Sequence, residues 1–219
     1  MEKKLLSFRD FLKTGTLGPI QPGLRMIDVA RILGTPDSWI TEHVETIPVY
    51  WIYGPLEVSF GNDPPHDLHW FQIEHPNSIR KTTERVNDQF ALAMEELGGS
   101  AKLSDFLQAA LWNLQDVRIH YANFGNHQFM LDLCVGTVQM FFEVDTSLIE
   151  NEDIDRFLAH TPIAKLICEI DQRTEVNSVY SYAYPAEEAP RIELRWQTIT
   201  GSAYLSCLQE KEKGAAQAP

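Results

Sequence analysis

Three histidines lie close together in the first half of the chain: His66, His69 and His75. Imidazole nitrogens bind zinc and iron, often together with carboxylate oxygens, and acidic residues stand between and beside these histidines. However, His69 and His75 are predicted to lie on one strand, and at the usual rise per residue they would be about 20 Å apart. One ion cannot bridge that distance unless the strand is broken. Exposed hairpin residues are therefore the favoured interpretation, and no metal ligand is predicted here.

A second group of polar residues follows two adjacent predicted strands in the second half of the chain. Its members are Arg118, His120, His127, Gln128 and Asp132. Pairing of the two strands in a hairpin would gather them into one polar patch, where a His–Asp pair could perform general acid–base catalysis. The same pattern is typical of a solvated sheet face with a cross-strand ion pair, which is the interpretation that the sequence favours.

The stretch from Asp132 to Asp155 contains many acids and no lysine or arginine. It does not fit the calcium loop of an EF-hand, because no glycine stands at the required turn position after Asp145. A strongly negative edge accelerates the encounter with a basic protein. The predicted partner-binding acids are Asp132, Glu143, Asp145, Glu150, Glu152, Asp153 and Asp155.

Aromatic residues are concentrated in two predicted neighbouring strands, with Tyr50, Trp51 and Tyr53 facing Trp70 and Phe71. Core packing explains most of them. Alternation nevertheless places some of these rings on the outer face of the sheet, where tryptophan and tyrosine are good interface anchors. We therefore add Trp51 and Trp70 to the predicted partner-binding residues.

No nucleotide-binding, serine-hydrolase or zinc-protease motif occurs in the chain. The sequence consequently predicts no catalytic residue and no cofactor. Cys134, Cys168 and Cys207 are odd in number and far apart, so they predict neither a disulfide framework nor a metal site, and free thiols are expected.

The chain has 219 residues and a net charge of −13. Such a surface repels phosphate backbones and anionic membranes, so nucleic acids and membranes are not expected partners. The first apolar run is interrupted at once by Arg9 and Asp10, which is untypical of a signal peptide. No apolar run approaches the roughly 20 residues of a bilayer span, and the expected location is the cytoplasm.

In the first half of the chain, apolar spacing predicts two helices followed by three strands. Leu5, Phe8 and Leu12 predict a short helix, and the stretch from Met26 to Leu33 predicts an amphipathic helix that Gly34 terminates. A three-stranded antiparallel meander is predicted over residues 49–75.

In the second half, helices are predicted over the stripe Val86, Phe90, Ala93 and Leu97 and over residues 103–114. A second meander follows over residues 117–144. Two further helices are predicted to begin at Asn151 and near Thr161. The last predicted strands cover residues 178–184, 191–198 and 203–208.

Helices and strands come in separate runs, so the predicted fold class is α+β. It consists of antiparallel β meanders, each preceded by helices, in two similar modules. The first module covers residues 1–78 and the second covers residues 79–210. A polar tail over residues 211–219 is predicted to be disordered.

Several short motifs carry a family resemblance over residues 15–75. They are Leu17-Gly18-Pro19-Ile20, Gly23-Leu24, Asp28-Val29, Leu33-Gly34-Thr35-Pro36 and Tyr53-Gly54-Pro55-Leu56-Glu57. This stretch resembles small bacterial proteins of unknown function, some of them thought to be immunity proteins of polymorphic toxin systems. Its first part is also similar to the helical hairpin of β-lactamase-inhibitor-protein-like and outer-membrane-assembly lipoprotein folds, which place two helices on an antiparallel meander. The resemblance implies no functional residue.

These observations favour a non-enzymatic protein-binding module, an immunity or antitoxin-like bacterial protein that neutralises a basic partner by occlusion. The alternative is an enzyme, such as a metal-dependent hydrolase, that uses the histidines at 66–75 or the group around His120 and Asp132. A third interpretation is a structural subunit that assembles with copies of itself.

Overall fold

The computed structural model describes residues 3–41, 50–98, 100–125, 128–145, 166–167 and 170–216. Its strands are β1 Lys4–Ser7, β2 Ser38–Ile40, β3 Tyr50–Tyr53, β4 Leu56–Phe60, β5 Leu68–Glu74, β6 Thr83–Arg85, β7 Phe90–Ala93, β8 Arg118–Gly125, β9 Gln128–Val135, β10 Val138–Val144, β11 Thr174–Tyr182 and β12 Gln197–Thr200. Its α-helices are α1 Phe8–Thr14, α2 Met26–Leu33, α3 Leu103–Gln108 and α4 Gly201–Ala216. Short 3-10 helices cover Pro76–Ser78, Glu95–Leu97, Asp171–Arg173 and Ala186–Glu188.

Most of the strands form one nine-stranded sheet in the order β12-β8-β9-β10-β11-β5-β4-β3-β2. Every neighbouring pair in it is antiparallel. The two predicted meanders are present, and the pairing of β11 with β5 joins them edge to edge, from Ser178 opposite Glu74 to Tyr182 opposite Trp70. The pairing therefore joins a strand that precedes residue 78, the predicted boundary between modules, to a strand that follows it. The predicted α+β class with antiparallel sheets is confirmed.

A second sheet has three strands in the order β1-β7-β6. Strand β1 is parallel to β7, and this pairing joins the start of the chain to its second half. Helix α1 follows β1 directly, and the Ser7 hydroxyl caps it by accepting a hydrogen bond from the Asp10 backbone N–H at 3.0 Å. The predicted first helix therefore begins three residues later than expected, because Leu5 belongs to β1 and is exposed.

The stretch that follows β6 forms a strand and a 3-10 helix, where the sequence predicted an α-helix. The helix expected from Val86 to Leu97 is wrong, since this stretch follows β6 and contains β7 and a 3-10 helix. The Asn87 side chain turns the chain between the two strands, because its Oδ1 accepts from the backbone N–H groups of Gln89 and Phe90, each at 2.8 Å. Pairing with β1 gives the backbone of β7 the hydrogen-bond partners that it would otherwise have found within a helix.

The end of the chain also differs from the prediction. Strands expected over residues 191–198 and 203–208 are replaced by β12 and by helix α4, whose Tyr204 is fully buried. The backbone is helical as far as Ala216, where the sequence predicted disorder. The helices predicted from Asn151 and Thr161 lie outside the described residues, apart from helical positions at Leu166, Ile167 and Ile170.

The inner face of the large sheet packs against all four helices and the small sheet in one hydrophobic core. Side chains alternate along each strand, so the inner face receives residues such as Val58, Phe71 and Leu133, all fully buried. The Phe11 ring of α1 lies 5.1 Å from the Phe71 ring, centroid to centroid. Within the part of the chain that the structure describes, no helix has the length and apolar composition of a bilayer span.

Asp171 holds two helices at the edge of this core. Its carboxylate accepts hydrogen bonds from the Ser104 backbone N–H at 3.1 Å and the Ser104 hydroxyl at 2.7 Å, in α3. It also accepts from the Tyr204 hydroxyl of α4 at 2.9 Å. All three residues are buried, and without this carboxylate the Ser104 backbone N–H and hydroxyl would lose the hydrogen bonds that they donate to it.

Replacing Asp171 by alanine is expected to lower the free energy of unfolding by about 2–4 kcal/mol, because it removes the buried hydrogen bonds that the carboxylate accepts from Ser104 and Tyr204. Urea unfolding followed by circular dichroism measures the change. Asp88→Ala is the matched control, since the Asp88 side chain is 94% exposed, and its effect should stay within about 0.5 kcal/mol. Equal losses in the two variants would contradict the role given to Asp171.

Candidate functional site

Aromatic rings form a continuous row on the outer face of the large sheet, the face opposite the core. Trp70 of β5 lies at the centre, 5.5 Å from Tyr50 of β3 and 5.3 Å from Tyr180 of β11, measured between ring centroids. Phe141 of β10 extends the row at 5.6 Å from Tyr180. We call these four half-buried residues the aromatic row; it crosses the junction between the two meanders.

Acidic side chains accompany the aromatic row along its length. Glu57 and Glu74 lie on the same face of β4 and β5, and the Gln72 side-chain amide between them donates a hydrogen bond to each. Glu143 is exposed at the other end, where it accepts from the Asn177 side chain at 2.5 Å. An open depression between β9, β10 and β11 is lined by Phe141, Glu143, Asn177 and Tyr180, among others.

Ionisation on this face is restricted by burial. Burial raises the pKa of Glu57 above its ordinary value; the hydrogen bond from Gln72 opposes the rise, and the nearby charge of Glu74 adds to it. Burial also raises the pKa of Tyr180 to about 12, with smaller contributions from Glu57 and Glu74. The Tyr180 ring therefore remains a neutral phenol at physiological pH, with an electron-rich face.

The other half of the outer face holds a buried polar cluster centred on Asp132, whose side chain is 1% exposed. Its Oδ2 accepts from the Gln139 side-chain amide at 2.5 Å and lies 3.5 Å from an Arg191 guanidinium nitrogen. The same guanidinium nitrogen lies 3.2 Å from the Cys134 sulfur. Asp132 is one of the predicted partner-binding acids, but its side chain is buried here and Arg191 of the segment 183–196 packs against it.

Three groups of this region are close enough to act together on one small ligand. They are the His120 imidazole, the Cys134 thiol and the Glu187 carboxylate, whose donor atoms all lie within 4.8 Å of one another. His120 Nε2 lies 3.2 Å from a Glu187 oxygen, and its Nδ1 lies 3.0 Å from the Thr198 hydroxyl. Two strands and the cover segment, residues 183–196, supply the three groups.

Cys134 is not suited to nucleophilic catalysis in this setting. Burial raises the pKa of its thiol well above the ordinary value, and the neighbouring Asp132 charge raises it further. The thiol is therefore protonated at neutral pH. A reactive cysteine needs the opposite, an electropositive and partly exposed position.

The residues predicted from sequence are distributed over several places. The predicted polar patch is partly confirmed, since His120 and Asp132 stand directly opposite each other on β8 and β9. Arg118 points elsewhere, donating to the Gln115 carbonyl at 2.5 Å. His127 lies outside the described residues, and Gln128 begins β9.

The three histidines of the first half do not converge. His69 and His75 are exposed, and the His66 ring donates from Nδ1 to the Gly61 carbonyl at 2.9 Å. Among the described residues, the one trio of potential metal donors within 4.8 Å of one another is instead His120, Cys134 and Glu187.

The predicted docking residues have mixed outcomes. Trp70 belongs to the aromatic row, whereas Trp51 lies on the inner face and packs edge-on against Phe60, with ring centroids 4.8 Å apart. Glu143 and Asp145 are exposed. The remaining predicted acids lie outside the described residues: Glu150, Glu152, Asp153 and Asp155.

Sequence reasoning missed several members of both groups. Tyr180 and Phe141 reach the row from strands far from Trp70 along the chain, and Glu187 and Arg191 reach the cluster from a segment predicted partly as strand. Alternation of polar and apolar residues in β10 and β11 could have placed Phe141 and Tyr180 on the outer face. No sequence signal joins Glu187 to His120, because only the tertiary fold brings them together.

No protein-family model matches the chain, and neither a curated protein nor a solved structure matches it. The resemblance to immunity proteins therefore stays a prediction.

Glu57→Gln is expected to raise the free energy of unfolding at pH 7. The folded protein holds the pKa of Glu57 above its unfolded value, so the wild type loses stability as the pH rises past about 4.3 and the carboxylate ionises in its buried site. Glutamine can still accept the hydrogen bond from Gln72 and carries no charge.

Urea unfolding at pH 7 and at about pH 4 measures this effect, and the gain should shrink at the lower pH, where Glu57 is protonated in the folded wild type. Exposed Glu193→Gln is the control and should show little gain at either pH. A gain of the same size at both pH values would contradict the stated cause.

Proposed function

We propose that this chain is a non-enzymatic protein-binding module that recognises a basic partner protein through the aromatic row and its acids. The carrying observation is the continuity of the rings across β10, β11, β5 and β3, with neighbouring centroids no more than 5.6 Å apart. Core packing on the inner face does not require these rings. They form a rigid, half-exposed surface of the kind that anchors protein interfaces.

The chemistry of the row favours cationic side chains. An arginine or lysine over an aromatic face gains about 0.5–2 kcal/mol, depending on how far the contact is shielded from water. Glu57 and Glu74 lie near the Tyr50, Trp70 and Tyr180 side of the row and Glu143 near the Phe141 side. A cation on the rings would therefore be within reach of an acidic oxygen along the row, which adds charge-assisted hydrogen bonding.

Long-range electrostatics supports the same choice of partner. The chain carries a net charge of −13, and a field of this sign accelerates association with a basic protein. The exposed acids Glu143 and Asp145 lie at the end of β10, beside the row. Neutralisation would follow from occlusion, as the sequence resemblance to immunity proteins also implies, and the proposed setting is the bacterial cytoplasm.

A short arginine-rich peptide is expected to bind the protein, with an affinity that falls as salt is added. Isothermal titration calorimetry measures the dissociation constant. Trp70→Ala should weaken binding about tenfold, since it removes the ring that joins Tyr50 to Tyr180 and so loses one cation–π contact of about 1.4 kcal/mol. Glu74→Gln should weaken it to a smaller extent.

Trp39→Ala is the matched control, because Trp39 is 59% exposed on edge strand β2 and lies on the inner-face side, away from the row. The Trp39→Ala variant should bind the arginine-rich peptide with the same affinity as the wild type. An acidic peptide of the same length should not bind. Binding of both peptides, binding of neither, or equal weakening by Trp39→Ala and Trp70→Ala would overturn the proposal.

A further inference from the structure

We propose that His120, Cys134 and Glu187 form a zinc site that fastens the cover segment to the large sheet. The three donor atoms lie within 4.8 Å of one another in the described structure. In a tetrahedral zinc site, with bonds of about 2.0–2.3 Å, the ligand atoms stand roughly 3.5 Å apart. His120 and Cys134 are buried on neighbouring strands, and the side chain of Glu187 is 45% exposed. The donor atoms would therefore have to approach one another by no more than about 1.3 Å to coordinate one ion.

The donor types select the metal. A thiolate, an imidazole and a carboxylate form a mixed soft and borderline set that suits zinc, whereas magnesium and calcium prefer oxygen ligands throughout. When a cysteine coordinates a cation, the bound metal displaces the thiol proton and the thiolate becomes the ligand.

Neighbouring residues are arranged as supports for such a site. Thr198 lies 3.0 Å from His120 Nδ1, so its hydroxyl can accept a hydrogen bond from Nδ1–H while Nε2 binds the metal. The Arg191 guanidinium lies 3.2 Å from the Cys134 sulfur and can donate to a thiolate there. Its position is fixed by a bond to the Glu187 carbonyl at 3.0 Å and by the Trp196 ring, 5.9 Å away.

Asp132 supplies a second, independent indication. Its Oδ1 atom is buried and has no hydrogen-bond partner, and its Oδ2 lies 3.6 Å from the Cys134 sulfur. A buried carboxylate oxygen without a partner is costly, and a nearby divalent cation offsets that cost. Asp132 touches the trio through the Cys134 sulfur, and it is the fourth ligand of the proposed site.

The charges balance when zinc is present. Without metal, the two acidic side chains of Asp132 and Glu187 oppose the single positive charge of Arg191. Zinc adds two positive charges, and coordination by a thiolate adds one negative charge. The group then becomes neutral overall, which favours its largely buried position.

Such a site is structural in character. Its ligands come from β8, β9 and the 3-10 helix Ala186–Glu188, and Arg191 and Trp196 pack around them. Structural zinc sites are closed by protein ligands, whereas catalytic ones keep a position open to substrate. The metal would cross-link the cover segment to two central strands, independently of the proposed docking function.

The test begins with reduced protein treated with a chelator and dialysed, to which zinc sulfate is then added. Elemental analysis after gel filtration should find one zinc ion per chain, and cobalt in place of zinc should give a thiolate-to-cobalt charge-transfer band. With free zinc about a hundredfold above its dissociation constant, the midpoint of thermal unfolding should rise by about 5–10 °C.

Cys134→Ala should abolish the cobalt band, and Glu187→Gln should weaken zinc binding at least tenfold. Cys207→Ala is the control, since Cys207 lies in α4, outside the trio, and it should bind like the wild type. Glu187 is partly exposed, so its variant should fold even if Cys134→Ala does not. The proposal is overturned if the wild type takes up no zinc, if Cys134→Ala keeps the band, or if Glu187→Gln binds as tightly as the wild type.

Discussion

Strand β11 pairs with β10 on one side and with β5 on the other, and it thereby makes one sheet from two meanders that lie far apart in the chain. Its residues serve both faces: Val176 and Val179 enter the core, while Tyr180 and Tyr182 point outward. Without this strand, each meander would expose an unpaired edge, which natural proteins avoid. The core, the aromatic row and the polar cluster all depend on this junction.

The outer face is consequently divided between two uses. Around His120, Asp132 and Cys134 it is covered by residues 183–196, whose Ala186 and Ala189 pack with Cys134 and Tyr182. From Phe141 of β10 to Tyr50 of β3 it carries the aromatic row instead. A sheet with one face in the core commonly leaves the other to solvent. Here the second face buries acidic groups, including Asp132 and Glu57. Burying a charge costs free energy unless hydrogen bonds or an opposite charge offset it.

Sequence patterns were sufficient where local signals agree with the tertiary structure. The amphipathic spacing and Gly34 predicted α2 at its observed bounds, and alternation predicted β4 from Leu56 to Phe60. They failed where long-range pairing decides the outcome. The apolar stripe from Val86 to Leu97 has helical spacing, yet Phe90–Ala93 within it forms strand β7, which pairs with β1 and β6.

The same distinction applies to the candidate sites. Hairpin pairing correctly gathered His120 and Asp132 into one patch, because β8 and β9 are adjacent in sequence. It gave no indication that a segment some fifty residues later would cover Asp132, since Arg191 and Asp132 are 59 positions apart. From sequence alone, an acidic side chain in a strand is predicted to be exposed, unless the segment that packs over it is known. The acidic run therefore contributed exposed residues at Glu143 and Asp145 but a buried one at Asp132.

Tyr182 connects the two halves of the outer face physically. Its hydroxyl donates to Gln139 Oε1 at 3.0 Å, and the Gln139 amide donates to Asp132. Its ring stacks on Tyr180 of the aromatic row, with centroids 5.7 Å apart and an interplanar angle of 4°. Rings held in place before binding lose little conformational entropy when a partner arrives. A cluster that fixes Tyr182 therefore favours a rigid row, and rigidity of the row is what allows a few rings to hold a cationic side chain tightly.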